Sequence, residues 1–181
     1  MGSAADPHGL EFPDIAAHVD SGDPLRRLAE PVPNILGLDH LDQLARRIDR
    51  LEARAAIQEL VSNYAIACDE QDIARLRELF TDDAFFGSAS GRMQASGGDA
   101  VCAMLAAALA NRGPSCHWTH DVIVRCDGDD PDRATGTVYS HAETTPDGVV
   151  SLAAMRYHDE YCRSAGRWRF RRREISYLYY V

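Results

Sequence analysis

The stretch Gly113-Pro114-Ser115-Cys116-His117-Trp118-Thr119-His120-Asp121-Val122-Ile123-Val124-Arg125-Cys126-Asp127-Gly128-Asp129 is where the chain changes its hydrophobic period. Upstream, apolar residues recur every three or four positions, the period of a helix with one buried face. Leu41, Leu44, Ile48 and Leu51 begin that pattern, and Ile57, Leu60, Val61 and Tyr64 continue it. The spacing predicts one long helix from near Leu38. Arg46, Arg47, Asp49, Arg50, Glu52 and Arg54 mark the polar side of its first half, which reads as a coiled or partner-packed segment. A shorter helix follows around Ile73, Leu76, Leu79 and Phe80, and Thr81-Asp82-Asp83 ends it. Ala84-Phe85-Phe86 then starts a strand. After a Gly- and Ser-rich turn at 87–91, a third helix runs from about Asp99 to Asn111, where Gly113-Pro114 stops it.

Downstream of Pro114 the pattern is that of strands. They are expected at about 115–126, 133–145, 149–163 and 167–179, separated by Asp127-Gly128-Asp129, Pro146-Asp147-Gly148 and Ser164-Ala165-Gly166. Helices followed by a run of antiparallel strands imply an α+β fold, three helices on one face of a curved antiparallel sheet. Residues 1–38 carry five of the eight prolines and a net charge of −4, with little periodicity. They read as an N-terminal arm, and 39–181 as the folded domain.

Composition narrows the function classes. The formal charge is −9 from 19 basic and 28 acidic residues, which argues against a nucleic-acid binder, since that affinity rests on clustered cations. Arg167, Arg169, Arg171, Arg172 and Arg173 are the densest basic group, and strand alternation divides them between two faces, most simply a solvated one. No apolar run reaches the roughly 18 residues of a spanning helix, and no secretory leader is visible. The five cysteines, 68, 102, 116, 126 and 162, include no CxxC pair. That fits reduced thiols in a cytoplasm better than a disulfide framework or a zinc knuckle. No GxSxG, P-loop or dinucleotide-binding glycine pattern is present.

A series of landmarks resembles the SnoaL-like branch of the nuclear-transport-factor-2-like superfamily. It runs Ile57-Gln58-Glu59-Leu60, Tyr64 with Asp69 five residues on, and Leu79-Phe80-Thr81-Asp82-Asp83-Ala84. It continues with His117 before Val122-Ile123-Val124, Asp127-Gly128-Asp129, and Tyr157-His158-Asp159 ahead of Gly166-Arg167-Trp168. No single landmark is specific; their order over about residues 40–178 is what counts. The resemblance implies a cone-shaped, cystatin-like α+β domain that associates as a homodimer or higher homo-oligomer. It does not by itself imply one function, because the superfamily holds dehydratases, isomerases, polyketide cyclases, oxygenase small subunits and binding modules.

The resemblance also implies a site. Lyases of this group pair an Asp late in the first helix with a His opening a strand, and the matching positions are Asp69 and His117. A histidine can take a carbon-bound proton near neutral pH, and a carboxylate on its other ring nitrogen fixes the tautomer and stabilises the imidazolium. Either residue alone equally fits a local hydrogen-bonding role. Tyr64 is the matching hydroxyl, for polarising a carbonyl or assisting a leaving group, with a core tyrosine as the alternative. Five helical residues separate it from Asp69 by about 140° unless the helix ends near Cys68. His141 matches a second catalytic histidine, provided the strand register is not off by one residue. His117 and His120 are three apart, which on a strand points them to opposite faces, so a shared metal is not expected. The apolar residues Trp118, Val122 and Val124 fall opposite His117 in strict alternation. Either a partner covers that face or a bulge shifts the phase. The expectation is a cofactor-free lyase or isomerase acting on a small hydrophobic, carbonyl-containing substrate, dehydration being the favoured subtype. A cyclase, an isomerase, a binding module and an oxygenase small subunit are the alternatives.

Overall fold

The computed structural model describes residues 37–181; the arm read at 1–38 lies almost wholly outside the described residues. Helix α1 spans Leu38–Asp69 and α2 Ile73–Leu79, followed by strands β1 (Phe80–Ser88) and β2 (Gln94–Ser96). Helix α3 (Gly98–Leu109) leads into β3 (Ser115–Cys126), β4 (Arg133–Thr144), β5 (Ser151–Ser164) and β6 (Arg167–Tyr180). The Asp72 carboxylate caps α2 by accepting the Arg75 backbone N–H at 2.9 Å. β1 begins earlier than its apolar core suggests. Thr81-Asp82-Asp83 belongs to the strand, because Phe80 pairs with Phe170 and extends the backbone there.

The six strands form one sheet in the order β2-β1-β6-β5-β4-β3. All neighbours are antiparallel except β1 and β6, which run parallel. The antiparallel run read from the sequence is therefore right for β3 to β6, while the β1–β6 pair makes the sheet mixed. The last strand crosses back to sit between β5 and β1, a step no local pattern encodes.

Alternation sets two faces. Ala134, Val138, Ala142, Met155, Tyr157, Tyr161, Phe170 and Ile175 point inward and are buried with Ile57, Leu60, Val61 and Tyr64 of α1. The Tyr64 ring meets Phe80, Tyr157 and Phe170 edge-on, with centroids 5.7–6.2 Å apart, and fastens α1 to this inner face.

Two of the bulges in the sheet decide the facing of site and core side chains. In β3 the register slips between His120 and Ile123, and Asp121 takes a left-handed φ of 49°. Ahead of the bulge Ser115, His117 and Thr119 face inward; beyond it Val124 and Cys126 do. The conflict between His117 and the apolar Val122 and Val124 is resolved by this one extra residue. In β6 the slip passes over Arg171, so that Arg172 faces out and Arg173 faces in. Arg173 is 1% exposed, which corrects the assignment of the whole arginine group to a solvated face.

Candidate active site

Asp69 is the last residue of α1. The chain turns there through Gln71 at a φ of 53°, and Asp72 N–H reaches back to the Ala67 carbonyl at 2.9 Å. This places the Asp69 carboxylate beyond the last helical turn, free to bond outside its own helix. The start of β3 meets it. Gly113 has a φ of 63° and passes so close to Thr145 that a Cβ would lie 2.5 Å from the Thr145 carbonyl oxygen. Only glycine fits that crossing. Thr145 in turn donates its backbone N–H to the carbonyls of Arg112 and Pro114, which stitches the end of β4 to the start of β3.

Three donors converge on the Asp69 carboxylate. His117 Nδ1 lies 2.6 Å from Oδ1, the Ser115 hydroxyl donates to the same oxygen at 2.9 Å, and the His117 backbone N–H donates to Oδ2 at 2.8 Å. An ionised carboxylate only accepts, so Nδ1 carries a proton in this contact. The His117 side chain is 5% exposed and that of Asp69 22%. His117 is thus tied to the one carboxylate twice, through its ring Nδ1 and through its backbone N–H.

Tyr64 and His141 are placed differently. α1 does end at Asp69, but Tyr64 lies in the aromatic core, with the Arg173 guanidinium 4.2 Å over its ring. Burial pushes its phenol well above the ordinary range, with the neighbouring Cys68 and Tyr157 adding to the rise, so it keeps its proton. Cys68, one turn on, lies within electrostatic reach of Tyr64, Arg173 and Asp69, and burial pushes its thiol up to about 11. His141 does not join the pair. It stands opposite Trp118, whereas Ala142 stands opposite His117, so His141 lies on the outer face of the sheet. There its Nδ1 meets His120 Nε2 at 3.1 Å, and its Nε2 lies 3.4 Å from the Tyr179 hydroxyl.

The residue not singled out from the sequence is Arg173. Its guanidinium is sandwiched by Tyr64, Tyr157 and Phe170, 3.9–4.4 Å from each ring. Cation–π attraction compensates part of its lost hydration. Its other partner is the equally buried Asp159, with Nε 3.6 Å from Oδ1, longer than a hydrogen bond. Arg173 Nε and Nη1 and Asp159 Oδ1 remain without hydrogen bonds. Burial raises the Asp159 carboxyl against the pull of Arg173, while Tyr161 donates its hydroxyl to Oδ2 at 2.8 Å. Gly136 makes room for that phenol, since a Cβ there would come within 2.8 Å of it. The interior thus holds a cation with unused donors, one residue past a bulge that a period-two reading passes over. The signal present in the sequence was Asp159 and Arg173 on two long strands of one sheet, without the register that joins them.

Surface clefts lie elsewhere: one of about 560 Å³ is bounded by Arg77, Asp82 and Arg167, another of about 390 Å³ by Ala45, Ala53 and Pro131. Among the described residues no group of three or more His, Cys, Asp or Glu side chains could hold a metal, and no helix is long and apolar enough to cross a membrane.

Residues 49–174 match the SnoaL-like domain family. This chain belongs to that family. No curated protein matches it in sequence. Several solved structures share its fold. A type 2 hexachlorocyclohexane dehydrochlorinase is 25% identical over 75% of this chain and 91% of its own, with a TM-score of 0.67. A nuclear-transport-factor-2-like protein with a cystatin-like fold from Novosphingobium aromaticivorans is 28% identical over 78% and 92%, with a TM-score of 0.66. A type 3 dehydrochlorinase from Novosphingobium barchaimii LL02, 24% identical over 75% and 92%, with a TM-score of 0.66, repeats the likeness in fold. The SnoaL-like domain seen here is accordingly an α+β cone of the nuclear-transport-factor-2-like kind, with three helices on a curved, unclosed sheet.

Proposed function

We propose that this SnoaL-like protein is a cofactor-independent lyase, most simply a dehydratase, acting on a small hydrophobic or polycyclic carbonyl compound. The observation that carries the reading is the contact between Asp69 and His117, made at one ring nitrogen and leaving the other free. Nε2 of His117 takes a proton from the carbon next to the carbonyl, and the Asp69 carboxylate stabilises the imidazolium that forms. The electron pair of the broken C–H bond moves toward the carbonyl oxygen as an enolate, then returns to form the new C=C bond as the β-hydroxyl leaves. The proton on His117 passes to that hydroxyl, which departs as water, and the histidine is neutral again. Tyr64, which retains its proton, and Arg173, which has unused N–H groups, are the donors proposed to steady the enolate oxygen. The likeness to dehydrochlorinases supports the same class of step, elimination begun by removing a proton. An aldol-type cyclase or a double-bond isomerase would use the same transfer of a proton.

The test is a panel of β-hydroxy ketones and polycyclic carbonyl compounds, followed by mass spectrometry for loss of one water. Asp69→Asn is expected to lower turnover by roughly 10³–10⁴-fold, through the wrong tautomer. His117→Ala should lower it by about 10²–10⁴-fold. Full turnover in either variant contradicts the reading. A second reading is a ligand-binding module without turnover, favoured by the 5% exposure of the His117 side chain and by linings of the two described clefts that include neither Asp69 nor His117. It predicts that the same compounds bind and are released unchanged.

A further inference from the structure

Every residue of α1 from Leu41 to Ile48 is exposed. Leu41, Leu44, Ile48 and Leu51 are nevertheless large apolar side chains, exposed by 56, 37, 55 and 63%. At about 100° per residue the four cluster in one stripe. It lies roughly 180° from the face formed by Ala53, Ile57, Leu60, Val61 and Tyr64, which is buried in the core. The helix therefore has two apolar faces, and the described residues cover one of them. Scattered exposed leucines need no explanation, whereas four in register along one helix do.

The spacing of three, four and three is that of a heptad seam, with Leu41 and Ile48 at the first core position and Leu44 and Leu51 at the second. We propose that this stripe pairs with the same stripe of a second copy of the chain, as a short parallel coiled coil. The flanking charges select this partner and direction. In a parallel pair Arg47 of one copy sits beside Glu52 of the other, and symmetry makes the contact twice. In an antiparallel pair seated on the same four residues, Arg47 would meet Arg47. Ile48 at one first core position, with Leu44 and Leu51 at the second, also favours two parallel strands. Because the stripe points away from the core face, the bodies of two copies lie on opposite sides of the shared axis. The seam spans only about 15 Å, so the dimer is weak and concentration-dependent.

Sedimentation of the full chain over a wide concentration range tests this. The weight-average mass should rise toward twice the 20.0 kDa of one chain. Leu44→Lys with Leu51→Lys should hold it at the single-chain value, with an unchanged circular-dichroism spectrum because both side chains are exposed. Arg47→Glu alone should weaken association by roughly tenfold, through two repelling pairs, and adding Glu52→Arg should restore it. A wild-type chain that stays monomeric throughout overturns the proposal, since the stripe is then covered from within the chain or not at all. Association that survives the double lysine variant overturns it in favour of another surface. Failure of the charge swap to restore association overturns the parallel arrangement.

Discussion

Asp69 accepts three hydrogen bonds, and each has a separate consequence. The bond from His117 Nδ1 fixes the tautomer, the bond from the His117 backbone fixes the start of β3 against α1, and the bond from Ser115 sets the carboxylate plane. Ser115→Ala removes the third without touching the imidazole. It is expected to lower turnover by about tenfold, the worth of a hydrogen bond to a charged group, and to leave the fold intact. Steady-state kinetics with a thermal melt would separate the two effects. His141→Ala, by contrast, should leave turnover unchanged, because that ring lies across the sheet from His117. A loss of more than a few-fold would place His141 in the reaction after all. Asp69 and His117 could be picked out in the sequence because each sits at a landmark, a helix end and a strand start. The facing of His141 could not, because a single residue of register decides it.

The bulge in β3 is the element that lets one strand serve both site and core. Without it, a strand presenting His117 inward would turn Val124 outward; with Asp121 inserted, both face in. Asp121 holds its φ of 49° at little cost, since a short polar side chain tolerates the left-handed region. Asp121→Val should destabilise the protein by about 1–2 kcal/mol, measured by urea unfolding, whereas Asp121→Gly should cost little. Equal effects of the two would mean that the turn does not depend on backbone conformation. Helix and strand positions were legible from period alone, to within a few residues at most ends. β2, three residues long, and the bulge at Arg171, which interrupts the alternation on which strand reading depends, were missed; a bulge in β3 was one of the two alternatives left open by the phase of His117 against Val122 and Val124.

Across the molecule, α1 and the inner face of the sheet enclose a charged pair, Arg173 and Asp159, among aromatic rings. Asp159 falls in phase with Tyr157 and Tyr161, but Arg173 could not be assigned to the interior from the sequence, since a period-two count from Phe170 turns it outward unless the bulge at Arg171 is known. Removing one member of such a pair strands the other charge in the core. Arg173→Leu is expected to cost about 3–5 kcal/mol, and adding Asp159→Leu should recover most of it. Denaturant titration of the single and double variants gives the comparison, and a single variant as stable as wild type would mean that the pair is not charged in the folded state. The same interior holds the Asp69–His117 contact at its edge, where a helix end and a strand start meet. The central claim is that Asp69 holds a neutral His117 with its proton on Nδ1 and its Nε2 free to act as the base. Two-dimensional proton–nitrogen NMR of ¹⁵N-histidine-labelled protein reads this tautomer directly. A His117 signal with Nδ1 protonated and Nε2 bare, lost in Asp69→Asn, is expected. An Nε2-protonated ring, or a signal indifferent to that substitution, would contradict it.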